Sequence, residues 1–386
     1  MKYTANWNYP TSMRVGAGRI KEVAEICRAM GMQSPLLVTD PGIVSLPMLE
    51  KVIADARAAG LSCGVFSAIQ SNPTGENIEN GVEFFRSRQH DGIIALGGGS
   101  ALDAGKAIAL MAGQSRSLWD FEDVGDNWTR VDVTGMVPVI AVPTTAGTGS
   151  EVGRASVITD QEHHVKKIIF HPRMLPEEVI LDPELTVGLP PQLTATTGMD
   201  ALSHNLEPLC SPLYHPMAAG IAMEGVRLVQ EYLPRAVADG ADIEARMQML
   251  VCSSMGATAF QKGLGGMHAL AHPLGALYGA HHGTLNAILM PYVLQENREV
   301  IEPVICRLAG FMGLVETDFD GFMSWLLGLR KQIRIPDTLA GIGIGTEQVE
   351  VVGKMAVEDP SAATNPIRFS AAQYRQIVEN AVNGVL

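Results

Sequence analysis

The sequence predicts an α/β amino-terminal half built on a parallel sheet and an all-helical (all-α) carboxy-terminal half. Three observations carry this. Short β-type runs alternate with amphipathic helical segments as far as about residue 185, the pattern of a parallel sheet covered by helices. Beyond "DPELTVGLPPQLTATTG" the β-branched runs vanish, and long Ala-, Leu-, Met- and Glu-rich segments take over. The chain has 386 residues, more than the roughly 250–300 that one core usually serves. It should therefore divide into domains of residues 1–185 and 186–386.

Taken in order, strands are expected in "SPLLVTD" (34–40), "SCGVFSAI" (62–69), "DGIIALGGGS" (91–100), "VPVIAVPTT" (137–145) and "EVILDPE" (178–184), each bounded by turn residues. "MLEKVIADARAAG" and "GVEFFRSRQ" supply helices between them, and "RASVITD" with "VKKIIFHP" reads as an antiparallel excursion. The boundary falls near residue 185, where "LPP" forbids a continuing helix. "MAAGIAMEGVRLVQEYL" and "ADIEARMQMLVCSSMGATAF" then carry helical texture. No repeat of fixed period interrupts this order, which sets solenoids aside.

Composition narrows the function. A net charge of −13 leaves nothing basic to displace counterions from phosphate, which argues against nucleic acid or an anionic membrane as partner. The start "MKYTANWNYPTSMRVGAG" has no apolar leader core, and no stretch approaches the ~20 apolar residues a bilayer span needs, so a cytoplasmic protein is expected. Cys27, Cys63, Cys210, Cys252 and Cys306 are odd in number, scattered and without CxxC spacing, which suits reduced, buried thiols.

In "GIIALGGGSALDAGKAIAL" a hydrophobic strand runs into three glycines and then a helix, with Ser100 expected as N-cap and Asp103 as a capping-box acid. Glycines there let the backbone approach a pyrophosphate, whose charge the helix start attracts. "PTTAGTGSEVG" (143–153) adds a second loop after a strand, with the hydroxyls of Thr144, Thr145, Thr148 and Ser150 at a strand C-terminus, where open α/β sheets bind ligands. Asp40, closing the run "LLVT", is placed to hold a ribose diol and repel a 2′-phosphate, which points to NAD rather than NADP. On local evidence, tight packing and an ordinary turn Asp explain the same residues equally well.

"GLGGMHALAHPLGALYGAHHGTLNAILMP" (263–291) holds four of the ten histidines. Asp200 and His204 are four apart on a helical pattern, so both side chains leave one face, and His268 and His272 repeat the spacing. His282 follows the breakers Pro273, Gly275 and Gly279 and should open another helix. One carboxylate with several imidazoles suits Fe(II) or Zn(II), not Ca(II) or Mg(II). A single His is more often a satisfied core residue; two such pairs in a helical domain shift the balance. His281 should point away from any site His282 joins, and His90, His163, His164, His171 and His215 read as surface.

These motifs, in order, resemble the iron-containing (group III) alcohol dehydrogenases over nearly the whole chain: "VTD" (38–40), "SNPT" (71–74), "GGGSALDAGKA", "PTTAGTGSEV", "DPELT", "TGMDALSHNLE", "GLGGMHALAHPLG" and "HHGTLNAILMP". The resemblance implies a dehydroquinate synthase-like architecture, in which an α/β dinucleotide-binding domain faces a helical metal-binding domain across a cleft, usually in a homodimer. It implies Asp200, His204, His268 and His282 as metal ligands. It implies Asp40, Asn72, Gly98, Gly99, Ser100, Thr144, Thr145, Thr148 and Lys166 as NAD contacts, and the catalytic His272 between cofactor and metal. Two positions depart from the family: Gly153, where Thr is frequent, and Lys262, which is not general there and is expected to cap or lie at the surface rather than pair with an anionic substrate.

The expected activity is NAD(H)-linked, Fe(II)-dependent interconversion of a small alcohol and its aldehyde or ketone, with Zn(II) as the other candidate ion. The alternatives are a lyase or synthase of the dehydroquinate synthase type and a maleylacetate reductase-like enzyme. Relatives of the latter kind work without metal and would not need all four ligands.

Overall fold

The computed structural model describes residues 11–163 and 165–386; the leader reading of the first ten residues and the surface reading of His164 lie outside them. The strands are β1 (Ser12–Val15), β2 (Pro35–Val38), β3 (Gly64–Phe66), β4 (Gly92–Gly97), β5 (Val139–Pro143), β6 (Ala155–Asp160), β7 (Val165–Phe170) and β8 (Glu178–Leu181). The helices before residue 186 are α1 (Val23–Ala29), α2 (Pro41–Val44), α3 (Pro47–Ala58), α4 (Gly75–Ser87) and α5 (Gly99–Met111). Those after it are α6 (Pro191–Cys210), α7 (Pro216–Ala238), α8 (Ile243–Ala259), α9 (Gly266–Tyr278), α10 (His282–Phe311), α11 (Phe319–Gln332), α12 (Val349–Glu358) and α13 (Ala371–Asn383). Among the described residues the chain parts into two compact units, residues 11–145 with 149–188, and residues 146–148 with 189–386.

The first unit is a six-stranded sheet in the order β1-β8-β5-β4-β2-β3, every pairing parallel. Its central strands β2, β4 and β5 are buried along their whole length, which is why they read as continuous apolar runs. Their carboxyl ends run into Asp40, Gly98 and Thr144–Thr145, so register alone brings three of the expected binding segments to one edge. The hairpin β6–β7 is antiparallel, as expected. Strand β1 was not expected. "SMRV" is a four-residue edge strand with both ends exposed, too short and too polar to show periodicity.

The second unit is helical throughout among its described residues, around a core that includes Leu202, Leu206, Val229, Leu289, Phe322 and Tyr374. Helix α9 corrects one expectation: Pro273 and Gly275 do not break it. Pro273 lacks the N–H that would bond the Ala269 carbonyl, yet buried packing on both sides carries the helix on to Gly279, whose φ of 64° ends it in a left-handed cap. Among the described residues, no helix is long and apolar enough to cross a membrane. All five cysteines are free; Cys27, Cys63 and Cys252 are buried, whereas Cys210 and Cys306 are only half-buried, a correction to the expected burial of all five.

Lys262 does not lie at the surface. It is buried, and its Nζ donates to the carbonyls of Pro208 (2.7 Å), Leu209 (3.1 Å) and Ser211 (2.8 Å), capping the end of α6 where a cation also meets the negative pole of the helix. With its three donors engaged, it offers nothing to an anionic substrate. Lys262→Met should therefore leave carbonyls unsatisfied and cost about 1–3 kcal/mol of stability. Urea denaturation checks this, and an unchanged midpoint would contradict it.

Candidate metal and dinucleotide sites

Three helices of the second unit supply the metal-type cluster. Asp200 and His204 leave one face of α6, His268 comes from the first turn of α9, and His282 opens α10. One ligand atom from each lies within 4.8 Å of all the others. Asp200 Oδ1 is 3.7 Å from His282 Nε2 and 3.9 Å from His204 Nε2, and the rings of His204 and His268 stack with centroids 4.9 Å apart. His281 is the residue before α10 and is not in this group.

Second partners turn the rings inward. His204 Nδ1 donates to the Gly147 carbonyl at 3.1 Å, so its Nε2 lone pair faces the other donors, and His268 is anchored the same way, with its Nδ1 2.6 Å from Glu207 Oε2. Glu207 is held in turn by the Met267 N–H at 2.7 Å. Asn286 Nδ2 lies 2.9 Å from Asp200 Oδ1, 3.1 Å from His282 Nε2 and 3.3 Å from His268 Nε2, while its buried Oδ1 has no partner among the described residues.

Burial pushes His268 and His282 well below the ordinary imidazole value, so both carry free lone pairs at neutral pH. For Asp200, burial alone would raise the carboxyl, but His204, His282, His268 and the Asn286 amide outweigh it and hold it at about 2. Burial pushes Glu207 up to about 7, against the N–H groups of Met267 and Gly265 that pull it down. One anionic oxygen with three neutral ring nitrogens is a donor set that fits a borderline divalent ion such as Fe(II) or Zn(II).

His272 lies one turn beyond His268 but is outside the converging four; its Nδ1 is 2.7 Å from Asp359 Oδ2. Sequence reasoning missed Glu207, Asn286 and Asp359. A signal existed for two of them: Glu207 follows His204 by three residues and Asn286 follows His282 by four, both same-face helical spacings. The surface reading holds for His163 and fails for His171 and His215, which are buried because their rings cap helix starts by accepting from Arg173 N and Ala218 N. His90 is half-buried against Phe84 and Phe85.

The sheet unit carries the dinucleotide-type residues. Gly97 ends β4 with φ at 153°, and a Cβ there would lie 2.6 Å from Ala101 Cβ and 3.3 Å from Asp40 Oδ2, so only bare backbone fits. Asp40 Oδ1 caps α2 by accepting from Gly42 N (2.9 Å) and Ile43 N (3.2 Å). Thr144 N donates to the Gly97 carbonyl at 3.0 Å, and a Cβ on Gly98 would meet Thr145 Oγ1 at 3.4 Å. Helix α5 starts on Gly98–Gly99 with no side-chain cap, which leaves its N–H groups to an anion and fits a pyrophosphate.

The expected capping box at α5 is absent. The helix begins at Gly99, so Ser100 sits inside its first turn and donates to the Ser71 carbonyl at 2.5 Å. Asp103 instead ties the helix to the hairpin, accepting from Ser150 Oγ (2.5 Å) and Val157 N (2.9 Å). Lys166 Nζ and Asn72 Oδ1 are 2.9 Å apart, whereas Thr148 belongs to the helical unit. Gly153 has ordinary extended backbone, so nothing in the main chain demands glycine there.

Comparison with known proteins shows the family. Residues 10–183 match the model described as iron-containing alcohol dehydrogenase, and residues 194–382 match that of the Fe-containing alcohol dehydrogenase family, C-terminal. The chain is 37% identical to a 4-hydroxybutyrate dehydrogenase of Cupriavidus necator, covering 97% of this chain and 99% of the relative. It is 34% identical to an NAD-dependent methanol dehydrogenase of Bacillus methanolicus, covering 98% and 100%. A crystal structure of 1,3-propanediol oxidoreductase superposes with a TM-score of 0.92 at 34% identity, covering 98% of this chain and 100% of that one. With both halves matched end to end, the chain belongs to the iron-containing alcohol dehydrogenase family.

Proposed function

We propose that this NAD-dependent, iron-type alcohol dehydrogenase interconverts a small primary alcohol and its aldehyde at an ion held by Asp200, His204, His268 and His282. The convergence of one carboxylate and three imidazoles within 4.8 Å carries the reading. Methanol, 4-hydroxybutyrate and 1,3-propanediol, named in the relatives, all end in a primary hydroxyl, which supports that substrate class. These relatives are dehydrogenases and an oxidoreductase, which does not favour the lyase or maleylacetate reductase alternatives.

When bound, the ion supplies Lewis-acid polarisation of the substrate oxygen and NAD supplies the hydride acceptor. The protein's part follows from its own groups. Asp200 and three neutral imidazoles offset only one of a divalent ion's two charges, which favours an anionic oxygen at the site. Asp40, Asn72, Gly98, Gly99, Ser100, Thr144, Thr145, Thr148 and Lys166 would hold NAD, and the uncapped backbone N–H groups at the α5 start would meet its phosphates. His272 takes the hydroxyl proton at Nε2 in oxidation and returns it in reduction.

The same reading takes residues 1–185 as the NAD-binding domain and residues 186–386 as the metal-binding and catalytic domain. It makes the enzyme a cytoplasmic homodimer, with its free thiols supporting a reducing compartment. A panel of alcohols and aldehydes, run with NAD and NADH on protein of measured metal content, tests the activity. Turnover of primary alcohols is expected, and a fully metal-loaded protein inert to the whole panel would overturn the reading. Asp40→Gly should shift preference toward NADP by roughly tenfold or more, since it removes a carboxylate that repels a 2′-phosphate. Comparing kcat/KM for the two cofactors checks this, and an unchanged ratio would take Asp40 off the ribose.

A further inference from the structure

Helix α9 presents His268 and His272 one turn apart, and each sets its Nδ1 against a carboxyl group, Glu207 at 2.6 Å and Asp359 at 2.7 Å. The first pair serves the donor set. The second does not, because His272 is not among the four converging groups. Yet its ring stacks within 10° of the His282 plane, centroids 5.4 Å apart, and meets His268 edge-on at 5.8 Å. A histidine–carboxylate pair built against a donor set but outside it has another task. The His272 side chain is 33% exposed against 2% for His268, so it can also pass a proton to solvent.

Asp359 is a fixed acceptor. It caps the short helix Pro360–Thr364, with Oδ1 accepting from Ser361 N at 2.8 Å. That helix is tied to the start of α9: Thr364 Oγ1 donates to the Leu264 carbonyl at 2.7 Å, and Gly266 N donates to Asn365 Oδ1 at 2.9 Å. Asn365 in turn exchanges two amide bonds with Asn297 of α10, at 3.0 and 3.1 Å. Carboxylate and imidazole are thus held in register by the same segment. An ionised carboxylate only accepts, so His272 Nδ1 carries the hydrogen and Nε2 keeps its lone pair.

We infer that Asp359 is a positioning residue for the reaction, holding His272 in the Nδ1–H tautomer so that Nε2 receives the proton of the substrate hydroxyl. In alcohol oxidation the substrate O–H bond breaks as Nε2–H forms, and bound NAD would accept the hydride that the carbinol carbon loses as the carbonyl forms; reduction reverses both. This rests on the role given to His272 above.

Asp359→Asn is the test, because Asn is a good N-cap and preserves the helix start, while its amide can donate to Nδ1 and favour the opposite tautomer. The expected result is a kcat lower by roughly 100-fold, with bound metal and KM for NAD unchanged within about twofold. In the metal-free protein, histidine 15N spectra should show the His272 ring, identified by its loss in His272→Gln, changing from Nδ1–H to Nε2–H. Wild-type kcat or an unchanged tautomer in Asp359→Asn, with His272→Gln impaired, overturns the positioning role alone. Wild-type turnover by His272→Gln overturns the role of His272, and the inference with it. Should Asp359→Asn not fold, Asp359→Ser retains a cap and removes the carboxylate, and the same fall in kcat is expected, with the Nδ1–H form of His272 no longer the sole tautomer.

Discussion

Asp200→Ala and His268→Ala each lower NAD-linked alcohol turnover by roughly 10³-fold or more, because they remove a Lewis acid worth several kcal/mol to the reacting oxygen. NAD binding should survive in both, since the residues proposed to bind it are separate from the four ligands, and nearly all belong to the other unit. The two losses differ in kind. Without Asp200 the cluster has no anion, and three imidazoles are left around whatever cation enters. Without His268 the buried carboxyl group of Glu207 loses its ring partner and keeps the Met267 N–H. Turnover with measured metal content, alongside NAD affinity by fluorescence quenching, checks both. Full activity in either variant would refute the ligand assignment.

Glu207→Gln weakens divalent-ion binding by about 10–100-fold without emptying the site of ligands. The carboxylate fixes which nitrogen of His268 carries hydrogen and which carries the lone pair, and a neutral amide enforces neither so strongly. A chelator competition with Zn(II) on wild type and variant reads this directly. Equal dissociation constants would mean that Glu207 only packs against the ring.

What could be read from sequence divides along physical lines. Strands β2, β4 and β5 were legible because both faces are buried and turn residues bound them, whereas β1 owes its existence to pairing with β8, far along the chain. The helical pair Asp200 and His204 was legible because a helix converts a spacing of four into a shared face. Partners in space were not. Glu207 lies 61 residues from His268, and Asp359 lies 87 from His272. Only the fold joins them. Two local signals were overruled by context: Ser100 looked like a cap, but the glycines start α5 before it, and Pro273 looked like a breaker, but the packed core carries α9 past it. For Lys262 the sequence left a cap and a surface charge open, because the three carbonyls it caps come from the turn ending another helix.

The central claim is that one carboxylate and three imidazoles share a single ion. X-ray absorption on protein loaded with one equivalent of Fe(II) or Zn(II) tests it most directly. The expected spectrum has three histidine nitrogens and one carboxylate oxygen at about 2.0–2.2 Å, and the imidazole scattering should diminish in His268→Ala. A first shell without histidine, or one that His268→Ala leaves unaltered, would contradict the account.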